Sequence, residues 1–407
     1  MRVLILAPEI FEGSLKEFQK NKNGFSMMVG DIARSLSIDD TVFVATNALT
    51  KQQMSGNVTF VDHSLMRFLK NLRFRYLIEG LKNAIRYPVP LRMRLRYIYY
   101  SLNKQCLKDI LAETKPDIVS IQGIGYASKM CVELCREVNI KFSVTLHGLV
   151  GLNRSVKAPE HVRKYERDFL VSSEKEQIPV SVISSGIKER IVKEYGLRSG
   201  DNICVITNGA NMDFGNDCSI NIRERYRIPE GNQIAVCVGN ITDNKNQIQI
   251  VRAYEKLPGE VQNKLTILFP GNEVDNDYVR TFIREKNYAD HLILCGFVPR
   301  EEIFHYYKAA DINLFPSLND GFGLPIIEAF MCGIPTVVFS DLDAIDDVYS
   351  PETMVLASER SDEAFASAVL TALQSTWDRE RISSWGKQFS LDQMAHNYHN
   401  FFEKGRA

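Results

Sequence analysis

Eleven short runs of β-branched and aliphatic residues alternate with helical patterns along this 407-residue chain, and that alternation leaves few folds open. "RVLIL" (2–6), "TVFVAT" (41–46), "DIVSI" (117–121), "KFSVTL" (141–146), "PVSVIS" (179–184) and "NICVIT" (202–207) read as strands of a buried parallel sheet. Between them lie helical stretches such as "SMMVGDIARSL" (26–36) and "SGIKERIVKEYG" (185–196). The latter has Ser184 or Ser185 as N-cap and Gly196 as its stop. Near residue 210 the pattern starts again: "QIAVCVG" (233–239), "KLTILFPG" (264–271), "HLILCG" (291–296), "DINLFPS" (311–317) and "PTVVFS" (335–340). The architecture repeats without a sequence repeat. A chain of this length exceeds one ordinary core. The expectation is α/β, with two Rossmann-like domains of mostly parallel sheet, 1–210 and 211–385, joined near "NGANMDFGNDCSI" (208–220). Residues 386–407 form a C-terminal helix expected to pack back on the first domain. Ligands of such folds bind beyond the carboxyl ends of the strands, so the cleft between the domains is the default site.

Composition removes several function classes. The net charge of −1 argues against a nucleic-acid binder. Eight scattered cysteines with no CxxC read as reduced thiols in a cytoplasmic protein. "MRVLILAPEI" reads as a strand rather than a signal peptide, and no run reaches the ~18 apolar residues of a membrane span. The seven histidines form no HExxH. Charge is uneven, however. Residues 67–104 hold ten Lys or Arg and one acid, Glu79, so 10 − 1 = +9, interleaved with Phe and Tyr. This is the pattern of a peripheral anchor on anionic lipid, of a site for an anionic acceptor, or of a solvated face. "YPVPL" (87–91) is expected to split it into two helices.

The segment "LNDGFGLPIIEAF" (318–330) places two acids, Asp320 and Glu328, around a glycine loop. "DINLF" is a strand, the loop leaves its carboxyl end, and "PIIEAFMCG" is a helix with Pro325 at its first position and Gly333 as its end. Glycines let backbone approach a ligand, and N–H groups at the helix start favour an anion. A carboxylate such as Glu328, placed in the first turn, accepts both hydrogen bonds of a ribose diol. The loop would hold a diphosphate, and Asp320, nearer the strand end, the group beyond it; ribose, diphosphate and that group are the parts of a nucleoside diphosphate sugar.

"DGFGLPIIEAFMCGIPTVV" resembles the signature of family 4 glycosyltransferases, two acids seven residues apart with Gly-Phe-Gly-Leu-Pro between. "NGFSMMVGDIARSL", "VTLHG", "VISSGIKERIVKEYG", "VITNGANMDFG", "VGNITDNKN" and "LILCGFVPREEIFHYYKAADINLFPS" are similar to other family segments, in the family's order. The resemblance implies the GT-B fold, two Rossmann-like domains facing across a cleft, and metal-independent, retaining transfer from a UDP- or GDP-type sugar donor. It implies no cofactor, and an acceptor that is a glycan, often lipid-linked. By the same resemblance Glu328 would bind the ribose, and Gly321, Phe322, Gly323 and Leu324 would present N–H groups to the diphosphate. Lys245, six residues after Gly239, would neutralise a phosphate. Gly24 would let its loop approach the phosphate, His147 would touch the donor sugar, and Phe297 and Val298 would flank the base. With no nucleophile for double displacement in view, same-face attack is what the resemblance implies.

Three departures bear on function. Asp320 stands where the family has Glu, Asn240 where it has a phosphate-binding Arg, and Asn23, which tolerates left-handed backbone, where it has the first of two Gly. They leave open a sugar-nucleotide-binding partner subunit without catalysis. A GT-B-fold epimerase or phosphorylase is the further alternative. "DLD" (341–343) and "DND" (275–277) mimic a metal motif, but such pairs arise by chance and no metal is expected. "GFG" lacks the third glycine of a dinucleotide fingerprint, which disfavours a dehydrogenase.

Overall fold

The computed structural model describes residues 1–404 apart from 21–22, 47–50, 87–90, 155–156, 213–219 and 276. β1 (Arg2–Leu6), β2 (Thr41–Ala45), β3 (Gln53–Ser55), β4 (Val58–Phe60), β5 (Ile118–Gln122), β6 (Phe142–Leu146), β7 (Val180–Val182) and β8 (Ile203–Val205) form one sheet. Its order is β3-β4-β2-β1-β5-β6-β7-β8, parallel except where β3 meets β4. β9 (Gln233–Val236), β10 (Leu265–Pro270), β11 (Leu292–Gly296), β12 (Ile312–Phe315), β13 (Thr336–Phe339) and β14 (Met354–Ala357) form a second, all-parallel sheet in the order β11-β10-β9-β12-β13-β14. All eleven runs read from the sequence are strands. β3, β4 and β14 are additional; β3 and β14 are outermost strands of their sheets.

Helices cover both sheets, and the last one crosses back. Met394, Tyr398, Phe401 and Phe402 of helix Leu391–Lys404 lie in one core cluster with Met28, Ile32 and Ile5 of the first domain. Ala210 N donates to Phe389 O at 2.9 Å, so the chain's two crossings between domains run side by side. Residues 213–219 of the expected linker lie outside the described residues.

The domains also meet on the far side. Ser185 N and Oγ donate to Asp347 Oδ2 at 2.8 and 2.9 Å, and Gly186 N to Asp343 O at 3.1 Å. Arg154 and Arg190 reach the two oxygens of Asp343 at 2.8 and 2.7 Å. A Cβ at residue 186 would sit 2.2 Å from Asp343 O, so only glycine permits this approach. Asp341 pairs with Arg360 at 2.8 Å, so Asp341 and Asp343 are both spent on arginines.

The basic stretch forms three helices rather than two: Leu65–Lys70, Phe74–Arg86 and Leu91–Leu102. The extra one arises because Ser64 caps it, accepting from Arg67 N at 3.4 Å. Residues 87–90 of the expected turn lie outside the described residues, as does residue 276 of "DND".

Candidate active site

β12 leads into a loop and then helix Leu324–Met331, at the carboxyl edge of the second sheet. Asp320 folds that loop. Its Oδ1 accepts from Phe322 N at 3.2 Å and Gly323 N at 2.8 Å, and Gly323 turns left-handed (φ 81°) as the helix N-cap. Its Oδ2 lies 2.5 Å from Lys245 Nζ. Burial raises the Asp320 carboxyl, but the Lys245 ammonium and the two N–H groups outweigh it and hold it below the usual range. The N–H groups of Phe322 and Gly323 are therefore occupied, and of the four expected to face a diphosphate, Gly321 and Leu324 keep theirs without an acceptor among the described residues. At residue 321 a Cβ would meet the Cδ1 atoms of Ile183 and Ile187 at 2.9 and 3.0 Å, so glycine here brings the two domains together.

Lys245 follows β9. Its own N–H bonds Thr242 Oγ1 at 3.1 Å, and its ammonium lies 5.2 Å from the Phe315 ring centre. Two features of its loop escape sequence reading. Asn244 Nδ2 donates to Asn319 O at 2.8 Å, and Leu318 N donates to Asn244 O at 2.8 Å. These bonds tie the Lys245 loop to the Asp320 loop.

Glu328 is the fifth residue of its helix, not in the first turn as expected, because the helix starts at Leu324 and Pro325 takes its second position. It is 6% exposed. Tyr307 Oη donates to its Oε2 at 3.3 Å, and Arg300 Nη2 lies 3.4 Å from its Oε1. Burial pushes the Glu328 carboxyl up, with Arg300 and Tyr307 offsetting only part of it. Neither Arg300 nor Tyr307 carried a sequence signal, since each is one polar residue on an ordinary helix.

The first domain supplies the opposite wall. Helix Gly24–Leu36 begins there, with Gly24 first and Asn23 as its cap. Asn23 is extended (φ −135°), not left-handed; its Oδ1 accepts from Ser26 N at 2.9 Å and its Nδ2 donates to Glu9 at 2.7 Å. The Phe25 ring stands edge-on to His147, centres 5.1 Å apart. Gln122 Nε2 donates to Ser120 Oγ, which turns Gln122 Oε1 to accept from His147 Nε2 at 2.7 Å. Nδ1 of His147 is then the bare nitrogen, and it has no partner among the described residues. Burial pushes the imidazole down to about 4, so it is neutral at pH 7.

Between these walls lies a cavity of about 450 Å³. Gly24, His147, Gly239, Lys245, Asp320, Gly321, Phe322, Gly323, Leu324 and Glu328 all line it, joined by Asp31 and Arg300. Three expected site residues stand apart from this lining. Phe297 is 63% exposed and Val298 packs into the second domain's core, because β11 before them is the sheet's edge strand. Asn240 is exposed, and its Oδ1 accepts from Asn272 N at 3.3 Å. The cavity thus offers a buried carboxylate acceptor, two cationic groups, open backbone donors and a neutral imidazole.

Residues 219–389 match the family described as glycosyl transferases group 1, and residues 51–214 match the family described as glycosyltransferase family 4. The O-antigen chain mannosyltransferase B of Escherichia coli is 32% identical over 163 residues, 39% of this chain and 42% of that protein. The serotype-specific mannosyltransferase WbdA of E. coli is 24% identical over 247 residues, 57% of this chain and 30% of the relative. The chain thus spans less than half the length of either. Two solved structures share the fold over 99% of this chain: a glycosyltransferase from Rickettsia africae (TM-score 0.70, 16% identity, 98% of that chain) and Anabaena HepE in complex with UDP (TM-score 0.70, 15% identity, 100% of that chain).

Proposed function

Starting from a chain that belongs to glycosyltransferase family 4 and has the GT-B architecture, we propose that it moves a hexosyl group from a nucleoside diphosphate sugar to a glycan acceptor, with retention and without a metal. The two relatives named as mannosyltransferases, and a further one from Mycolicibacterium smegmatis named as GDP-mannose-dependent (24% identical over 186 residues, 43% of this chain and 47% of that protein), support GDP-mannose as the first donor to test. A lipid-linked acceptor at the cytoplasmic face of a membrane completes the reading.

The observation that carries it is the convergence of Lys245, Asp320 and Glu328 on one cavity between the domains. Glu328 binds the ribose hydroxyls, which accounts for a carboxylate kept buried at an energetic cost. Lys245, the open N–H groups of Gly321 and Leu324 and the start of helix Gly24–Leu36 meet the diphosphate and the charge that develops as it leaves. Asp320 acts as a positioning residue: it folds the loop and holds Lys245 in place. His147, neutral, takes a hydrogen bond from a donor-sugar hydroxyl. The acceptor hydroxyl attacks the anomeric carbon on the face the nucleotide leaves. The C–O bond to the diphosphate breaks, the new glycosidic bond forms, and the acceptor proton passes to the departing phosphate oxygen.

The engagement of both Asp320 oxygens favours one second reading, a subunit that binds sugar nucleotides and needs a partner for transfer. A thermal-shift screen of GDP-mannose, UDP-glucose and UDP-galactose, followed by transfer assays on donors that bind, separates the two. Binding with hydrolysis or transfer by the chain alone supports catalysis. Absence of both binding and turnover with every donor contradicts the proposal.

A further inference from the structure

His147 opens a loop that runs from the cavity to the second domain. β6 ends at Leu146, Gly148 turns at φ 148°, and the chain continues through Val150–Leu152 to Arg154. One buried carboxylate holds this loop. Glu166, on helix Glu160–Lys175, is 3% exposed. Its Oε1 accepts from Val150 N at 3.0 Å and its Oε2 from Gly151 N at 2.9 Å. Tyr195 Oη, at the end of helix Ser185–Tyr195, donates to the same Oε2. A Cβ at residue 151 would lie 2.1 Å from Tyr195 Oη and 2.4 Å from Glu166 Oε2, so only glycine lets the backbone reach this pair.

Burial pushes the Glu166 carboxyl up, and its three hydrogen bonds offset only part of that. A buried carboxylate adds little net stability over apolar packing of the same volume. What it adds is geometry, because the two oxygens of one planar group fix two consecutive N–H groups. Both ends of the loop so fixed meet the site described above. At one end His147 lines the cavity, with Nδ1 bare. At the other, Arg154 N donates to Asn319 Oδ1 at 3.2 Å and Arg154 Nη1 to Asp341 O at 2.5 Å. Asn319 precedes Asp320, and its carbonyl accepts from Asn244, next to Lys245. Arg190, on the helix of Tyr195, ties in the middle by donating to Leu152 O.

We propose that Glu166 is a positioning residue for transfer: it sets the loop that presents His147 to the donor sugar and docks the first domain on the Asp320 loop. Glu166 is not among the residues lining the cavity, and it acts through the backbone of Val150 and Gly151. This role rests on the donor site proposed above, and a measurement without donor separates the two.

Hydrogen–deuterium exchange of the full chain, with no donor present, reads the clamp. In Glu166→Gln an amide NH2 faces one of the two N–H groups. Exchange across 148–154 should rise at least ~10-fold, and across 319–324 in the same direction, while β10 stays unchanged. Tyr195→Phe keeps the volume and removes one donor, and should give a smaller rise in the same two segments. With a donor that the wild type turns over, Glu166→Gln should lower kcat by ~10-fold or more. Affinity for the free nucleoside diphosphate should stay unchanged, since Lys245 and Glu328 are untouched. A group of purely local structural use would loosen 148–154 alone and leave kcat intact. That outcome overturns the proposal, as do unchanged exchange in both segments and a rise in both variants that includes β10. A wild type that binds no nucleotide sugar contradicts the proposed function, while linked exchange of the two segments still upholds the clamp.

Discussion

Lys245 Nζ stands 2.5 Å from one oxygen of Asp320, while the other oxygen closes the turn that starts helix Leu324–Met331. One carboxylate thus shapes the glycine loop and pairs with the cation beside it. Asp320→Asn sets an amide against the ammonium and removes the pairing. Turnover should fall ~10²-fold, and stability by ~1–3 kcal/mol through the loosened turn. Asp320→Glu keeps the charge and should retain most of the turnover. Steady-state kinetics and thermal unfolding of both variants check this; an Asn variant as active as wild type would remove Asp320 from the mechanism.

Glu328 leads to an opposite expectation for stability. Its carboxyl is raised by burial, so the folded state binds the proton more tightly than the unfolded chain. Stability therefore falls as pH rises from the unfolded value near ~4.3 through the raised folded value, and ionised Glu328 is a burden at neutral pH. Glu328→Gln keeps an acceptor for Tyr307 and removes the charge. Unfolding at pH 7 to 8 should show the variant at least as stable as wild type, with the difference shrinking toward pH 4, while donor affinity drops ~10-fold or more. A variant destabilised at pH 7 with normal donor binding would contradict the assignment.

His147 titrates in the other direction. Its imidazole is pushed down to about 4 by burial. The unfolded chain takes up a proton below its ordinary value of about 6.5, so stability is lost as pH falls from there toward 4. His147→Gln should flatten the slope of unfolding free energy over that interval. An unchanged slope would mean that the residue is not buried neutral.

Gly186 tests whether the far-side contact holds the cleft together. Alanine there places Cβ 2.2 Å from Asp343 O, which must move the Ser185–Tyr195 helix off the second domain. A loss of about 1–3 kcal/mol is expected, with donor KM and kcat both worsened although the substitution touches no cavity residue. Unaltered kinetics would show that this contact does not set cleft geometry.

How much of this was legible in the sequence follows the physics of each feature. Buried strands such as "KLTILF" announce themselves because both faces are apolar; β3 does not, because "QMS" is largely polar and nowhere fully buried. The glycine loop and its two acids were legible as a constellation. The detailed roles were not. Glu328's helical position depended on where Gly323 turned left-handed, and Asn23 proved a cap rather than a left-handed hinge. Arg300, Tyr307 and Gln122 become site residues only through contacts made across the fold. Phe297 and Val298 were displaced from the cavity by an edge strand whose place in the sheet order no local pattern encodes.

Under the proposed function, the interdomain cavity binds a nucleoside diphosphate sugar through Glu328 and turns it over. The most direct test is transfer of labelled mannose from GDP-mannose to a glycan acceptor by the wild-type chain and by Glu328→Gln, in EDTA. Transfer by the wild type without added metal is expected, with a loss of ~10²-fold in kcat/KM in a variant that remains folded. Transfer at wild-type efficiency by the Gln variant, or transfer abolished by EDTA, would contradict it.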